Sequence, residues 1–185
     1  NIDKPGGLLV RQDPPLSHWS QVKKDRSDGA GQRPPSLGSS TVDHLSEAVL
    51  TGKPYQPKAF FALGSNPVFS APTSFREALK KVPFVVTSSL FLDETAEESD
   101  LVLPDCTALE RWDVSTETPG FAVMTVGIGQ PALPPLHASK PAAGVVLELA
   151  KALGGSMAAA FPWKEPMEAI RALAMGLHRT RRGVV

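Results

Sequence analysis

Cysteine is almost absent from this 185-residue chain, which carries one, Cys106. A single thiol excludes a disulfide framework and any all-cysteine zinc or iron–sulfur site built within the chain. An excess of either charge is missing too, since Lys+Arg and Asp+Glu both number 19. That balance argues against a nucleic-acid-binding domain, which needs basic groups to neutralise phosphates, and against a polybasic membrane-surface protein. No apolar run approaches the roughly 18 residues of a membrane-spanning helix, so no direct membrane insertion is expected. Asn1 to Gly7 lacks the basic and apolar regions of a secretory leader, so no targeting signal is read there. Opening on Asn rather than Met, the chain is expected to have had its start cut or processed. Aromatic residues make up only 6% of a chain that is 42% hydrophobic, so the core is expected to be aliphatic.

What the chain has in excess is proline. Eighteen residues are about twice the usual share near 5%. Pro5, Pro14, Pro15, Pro34 and Pro35 fall within residues 1–40, among Gly, Ser and charged residues with little apolar periodicity. Residues 1–40 therefore read as an extended proline-rich linker or arm, 41–178 as an α/β cofactor-binding-type domain, and 179–185 as a basic tail. No internal repeat is present.

Within the domain, Val42–Leu50 reads as a helix, weakly capped by Ser40 with Asp43 and stopped by Gly52 and Pro54. Lys58–Leu63 is a short apolar run that reads as a buried strand, and Gly64-Ser65-Asn66-Pro67 as the turn after it. A capping box of Ser74 and Glu77 predicts a helix ending at Lys80-Lys81, before the strand Phe84–Ser89. Strand, helix and strand in about 30 residues make a βαβ unit, so a parallel sheet is expected. Leu101–Leu103 is a further strand stopped by Pro104, and Phe121–Val126 another. Helix 141–153 places Val145, Val146, Leu149, Ala150 and Leu153 on one face and closes at Gly154-Gly155. A last helix, Pro166–Leu177, aligns Met167, Ile170, Leu173, Ala174 and Leu177.

Candidate chemistry gathers at the strand ends. In open α/β sheets ligands bind beyond the carboxyl ends of the strands. The Gly64 turn permits close backbone approach, and Asn66 offers both a donor and an acceptor, although these are also ordinary turn residues. The loop Ser88-Ser89 to Asp93-Glu94-Thr95 would face the same edge with hydroxyls and carboxylates, or would be a solvated loop capped by Asp93 and leading into a short acidic helix. Cys106 has no histidine at ligand spacing and reads as an inert, buried thiol. Glu110, Arg111 and Asp113 form a local charge cluster, with structural pairing the default. Neither a Ser-His-Asp arrangement nor a metal signature is visible, so no catalytic residue is assigned.

Beyond these physical arguments, the run from Gly64 to Gly155 resembles the molybdopterin oxidoreductase family, bis-molybdopterin guanine dinucleotide type. The matching pieces are Gly64-Ser65-Asn66-Pro67, the helix leading to Pro83-Phe84, Asp93-Glu94-Thr95-Ala96, Ser99 to Pro104, Asp105 to Trp112, and Leu147 to Gly155. Asn1 to Gly7 is similar to a linker of the same family. The resemblance implies a three-layer α/β fold with a parallel, dinucleotide-binding-like sheet, the third domain of a four-domain large subunit. It implies that Gly64, Ser65, Asn66, Ser88, Ser89, Glu94, Thr95 and Arg111 contact the guanosine–phosphate end of one pterin cofactor. The metal's protein ligand belongs to another domain, and so do any iron–sulfur clusters unless a second subunit carries them.

Two departures weaken the pocket: Ser89 and Gly144 stand where many relatives have Asp. A serine hydroxyl forfeits the charge-assisted bonds of a carboxylate. Asp93 to Ala96 and Leu103 to Trp112 look closest to polysulfide reductase-like subunits, alternative complex III and the menaquinone reductase complex. Some large subunits of that kind have lost the molybdenum cofactor, so two readings stand: a cofactor-clamping enzyme part, or a cofactor-free scaffold of a quinol-linked membrane complex. A freestanding nucleotide-binding module is the weaker third. The implied partners are the remaining domains of the large subunit, an iron–sulfur electron-transfer subunit and a membrane quinone-reacting subunit. The implied location is periplasmic or membrane-associated.

Overall fold

The computed structural model describes residues 4, 6–7, 14–17, 41–53, 55–116 and 125–180. Along them the chain forms α1 (Thr41–Thr51), β1 (Phe60–Leu63), α2 (Pro67–Ser70), α3 (Thr73–Leu79), β2 (Val85–Ser89) and α4 (Glu94–Glu97). It continues through β3 (Leu101–Pro104), β4 (Asp113–Ser115), β5 (Gly127–Gly129), α5 (Ala142–Leu153), α6 (Gly155–Ala160) and α7 (Pro166–Thr180). These elements belong to two compact units. The sheet unit comprises Gln21–Thr107 with Pro135–Ala142, and the helical unit Asn1–Ser20, Ala108–Pro134 and Ala143–Val185.

In the sheet unit β2 lies between β1 and β3, and both pairings are parallel, as expected from the βαβ pattern. The register sets Leu63 beside Ser88 and Ser89 beside Pro104, so three strands end together. A central parallel strand is enclosed on both faces, and Val85, Val86, Thr87 and Ser88 are all buried. Pro104 is tolerated because β3 is an edge, where a missing N–H disrupts no ladder.

The core joins helices to the sheet. Val49 of α1, Phe75, Ala78 and Leu79 of α3, Val82 and Val85 form one buried cluster, with Leu45, Phe60, Val68 and Ala71 at its margin. Phe60 and Phe75 meet edge to face with centroids 5.7 Å apart, an arrangement worth about 1 kcal/mol beyond the area buried. Asp100 starts β3 by accepting from Val85 N at 2.7 Å through its side chain while its own N–H donates to Val85 O.

Several boundaries differ from the sequence reading. The first strand begins at Phe60 rather than Lys58. Ser74 does not cap α3: the helix begins at Thr73 after Pro72, no side chain caps it, and Phe75 N donates to Pro72 O. Pro72 holds the cap position with an extended backbone, ψ 154°, which leaves Ser74 inside the first turn rather than at the cap. The proposed Ser40 cap and the Pro54 stop lie outside the described residues, as do most of the 1–40 arm and residues 181–185.

In the helical unit, β4 pairs with β5 antiparallel, a pairing the sequence did not signal. Of the expected strand Phe121–Val126, residues 121–124 lie outside the described residues, and Thr125 and Val126 precede β5 rather than forming a strand. On α5 the buried residues are Leu147 and Ala150, whereas Leu149 and Leu153, expected on the inner face, are exposed. The helix ends before Gly154-Gly155 as read, but α6 starts there at once. Helix α7 runs to Thr180, and its apolar stripe from Met167 to Leu177 is half-buried. At Gly176 the segment Pro15–Ser17 crosses α7 so closely that a Cβ would overlap its backbone, and Ser17 N donates to Leu173 O at 2.9 Å.

Candidate functional site: a hydrogen-bonded rim at the carboxyl end of the sheet

The strand ends of the sheet unit carry a continuous polar network. After β1 the chain reverses at Gly64, whose φ of +59° is the left-handed conformation that glycine adopts without strain. Its N–H donates to Ser88 O at 3.0 Å, which pins the turn to the end of β2. A Cβ there would have only Asp105 Oδ2 near it, at 3.9 Å, so the turn stays open to close approach. Ser65 is exposed beside it.

Asn66 follows as the N-cap of α2. Its Oδ1 accepts from Phe69 N at 3.3 Å and from Thr95 Oγ1 at 2.8 Å, and its Nδ2 donates to Glu94 Oε2 at 2.6 Å. Thr95 is fully buried, and its hydroxyl also accepts from Val68 N at 3.1 Å. Two loops far apart in sequence are thus locked together through three side chains. Asn66 acts first as a latch, and only its second amide hydrogen is left over for another acceptor.

Asp93 organises the second loop. As the N-cap of α4 its Oδ1 accepts from Thr95 N and Ala96 N, at 3.1 and 2.9 Å, and its Oδ2 accepts from Ser89 Oγ at 3.1 Å. This is the Asp93-capped acidic helix anticipated from the sequence. Glu94 stands exposed at the first position of α4, and the Asn66 amide, with its own backbone N–H, holds its carboxyl below the ordinary value near 4.5. It is therefore a carboxylate at neutral pH, exposed to solvent and able to accept further hydrogen bonds.

Ser88 differs from its neighbour. Its hydroxyl is sealed from solvent and makes no hydrogen bond, an orphaned polar atom just behind the rim. Asp105 was not singled out in the sequence, yet it ties the third strand end to the others. Its N–H donates to Ser89 O at 3.1 Å, and its Oδ1 accepts from Cys106 N at 2.8 Å and Ala142 N at 3.1 Å. The available signal was an Asp directly after the strand-ending Pro104, a residue type that bonds nearby backbone N–H groups.

The network therefore unites Gly64, Asn66, Ser88, Ser89, Glu94 and Thr95, with Ser65 adjoining. Arg111 belongs to the helical unit, where its guanidinium pairs with Asp113 at 3.3 Å. Cys106 is fully buried, with Sγ 3.6 Å from Ser139 Oγ. No group of three or more potential metal ligands occurs among the described residues. The rim is rich in carboxylate and hydroxyl oxygens, so it favours a ligand that donates N–H or O–H groups over one presenting bare phosphate.

The family model for molybdopterin oxidoreductases matches residues 12–152. The chain belongs to the molybdopterin oxidoreductase family. Over 111 residues, 59% of this chain, it is 37% identical to the menaquinone reductase, molybdopterin-binding-like subunit of Nitratidesulfovibrio vulgaris. Over 137 residues, 70% of the chain, it is 30% identical to the thiosulfate reductase molybdopterin-containing subunit PhsA of Salmonella typhimurium. Among solved structures, acetylene hydratase from Pelobacter acetylenicus superposes with a TM-score of 0.62 at 29% identity, covering 74% of this chain and 19% of that one. The chain spans about a sixth of the length of these curated relatives, 16% and 17%.

Membership of the molybdopterin oxidoreductase family implies a molybdenum–pterin cofactor. The rim fits the donor-bearing part of such a group. The open Gly64 turn admits close approach, the exposed Glu94 carboxylate accepts from Asn66, and the Ser89 hydroxyl accepts from Phe91 N while donating to Asp93. No helix among the described residues is long and apolar enough to cross a membrane.

Proposed function

We propose that the chain is part of the large subunit of a respiratory molybdopterin-family oxidoreductase, and that the rim holds the guanosine end of a molybdopterin guanine dinucleotide. The observation that carries this reading is the latch of Asn66, Glu94 and Thr95, which ties the two rim loops to each other. Loops tied in this way cost less to order on binding. Within it, Glu94 accepts from guanine N–H or ribose O–H groups, Ser89 contributes one hydroxyl, and the Gly64-Ser65 backbone lies against the nucleotide. The family resemblance adds Arg111 as a proposed phosphate contact. When bound, the cofactor supplies the redox chemistry, and these residues bind and orient one end of it.

A second reading, a cofactor-free scaffold of a quinol-linked membrane complex, draws on other observations. Asn66 and Glu94 satisfy each other, and the Ser88 hydroxyl is sealed. The similarity to a molybdopterin-binding-like subunit is in keeping with it. In either reading the proposed partners are the remaining domains of the large subunit, an iron–sulfur electron-transfer subunit and a quinone-reacting membrane subunit, at a periplasmic or membrane-associated location.

The deciding experiment measures molybdenum and acid-released guanine nucleotide in the full-length protein and in its Asn66→Ala, Arg111→Ala and Glu94→Gln variants. Reduced nucleotide retention supports the cofactor site. Glu94→Gln is the informative variant, because it keeps an acceptor for Asn66 and removes only the charge. Unchanged occupancy in all three removes these residues from the site, and no nucleotide in the unaltered protein favours the scaffold.

A further inference from the structure

The loop between β2 and α4 presents Leu90, Phe91 and Leu92 to solvent in succession, at 50%, 77% and 80% exposure. Isolated exposed apolar residues are ordinary, but three large ones in a row mark a surface that is covered in use. The loop is firmly held beneath them. Phe91 N donates to Ser89 Oγ at 3.3 Å, Asp93 N donates to Phe91 O at 3.0 Å, and Ser89 Oγ donates to Asp93 Oδ2. Both backbone polar groups of Phe91 are thereby satisfied inside the loop. Its side chain projects from a fixed backbone, so little loop entropy is lost when something packs on it.

We propose that Leu90, Phe91 and Leu92 anchor an apolar surface on the remaining part of a longer, family-length polypeptide. This rests on the reading that the chain is part of a large subunit. The area argues for a tethered occupant. Taking about 150–250 Å² for the phenylalanine and somewhat less for each leucine, the three residues at these exposures offer roughly 300–400 Å². A separate subunit or a second copy needs about 800 Å² from each partner to form a stable interface. A covalently linked segment needs less, because the linkage raises its effective concentration to about the millimolar range. The relatives contain such chain in quantity, since this chain accounts for 16% and 17% of their lengths. The contact is also coupled to the rim, because Ser89 and Asp93 hold both.

The test uses the full-length polypeptide that carries this segment, in its native assembly. Leu92→Cys supplies a thiol whose labelling is read at its own peptide by mass spectrometry, and the one other cysteine of this segment, Cys106, is fully buried. Maleimide labelling of the native protein is expected to be slowed about tenfold or more relative to the urea-unfolded protein, as full burial of a leucine-sized group implies. A photo-reactive benzoyl-phenylalanine at position 91 identifies the occupant by mass spectrometry of the cross-linked peptide. A cross-link within the same polypeptide, outside residues 1–185, supports the proposal. Rapid native labelling overturns it, and so does a cross-link to a second copy or to a separate subunit. Guanine nucleotide is measured in the same sample. Nucleotide present with a freely labelled thiol refutes the contact alone, and nucleotide absent with a protected thiol refutes the cofactor site alone.

Discussion

Replacing Thr95 separates the value of a hydroxyl from the value of a methyl group at one enclosed position. Thr95 is fully buried, and its Oγ1 both donates to Asn66 and accepts from Val68 N. Thr95→Val keeps the shape and removes both hydrogen bonds. At about 1 kcal/mol net for each, plus the penalty of a stranded Val68 N–H, the cost is about 2–3 kcal/mol. Thr95→Ser keeps the hydroxyl and removes one methyl, at about 1 kcal/mol. The valine variant is therefore the less stable of the two, although it retains more apolar surface. The sheet unit, Gln21–Thr107 with Pro135–Ala142, contains no tryptophan, so its stability is followed by hydrogen exchange of the β2 amides. The Val68 amide is expected to lose protection in Thr95→Val and to keep it in Thr95→Ser. A valine variant as stable as the serine variant, with Val68 still protected, would refute the latch.

Three further outcomes follow from other contacts. Gly64→Ala forces a left-handed alanine and costs about 1–2 kcal/mol, with no steric addition because only Asp105 Oδ2 lies within reach; a neutral effect in chemical denaturation would contradict the positive φ. Gly176→Ala would gain up to about 1 kcal/mol from helix propensity, yet its Cβ overlaps the backbone of Pro15–Ser17. Net destabilisation of the helical unit and loss of Ser17 amide protection are expected, and a higher melting temperature would argue against the crossing. Glu94 has its folded pKa lowered by Asn66, so its contribution to stability is present above the unfolded value near 4.5 and is lost as pH falls through the lower folded value. In Asn66→Ala, carboxyl titration by NMR is expected to move up toward 4.5, and an unchanged midpoint would count against the hydrogen bond.

Periodicity and punctuation made the sheet unit legible. β1, α3 and β2 are separated by Gly64 and Pro83, and a buried central strand reads as the continuous apolar run Phe84–Val86 leading into Thr87. What was missed was short or decided at a distance. Helix α2 has four residues, too few for any periodic signal, and is set by the Asn66 cap and Pro67. The β4–β5 pair has three residues a side, and its pairing partners are more than ten positions apart. On α5 the hydrophobic pattern reads as one face through Val145, Val146, Leu149, Ala150 and Leu153, and tertiary context buries Ala150 with Leu147 while leaving Leu149 and Leu153 exposed.

The site shows the same division. Gly64, Asn66, Ser89, Glu94 and Thr95 were found because residue type and strand-end position agree. Their mutual bonding was not legible, because Asn66 and Thr95 are 29 residues apart and meet only through the fold. Asp105 has the same residue type and strand-end position, but its role in tying the loops shows only in the fold, since its partner Ala142 lies 37 residues away.

The most direct measurement of the central claim is a ligand-bound structure of the assembled full-length protein, inspected at the rim between Asn66, Glu94 and Ser89. The cofactor assignment predicts a guanosine there, with its N–H or O–H groups within hydrogen-bond distance of the Glu94 carboxylate. A nucleotide seated elsewhere, or a molybdenum-containing protein whose rim holds only water, would contradict it.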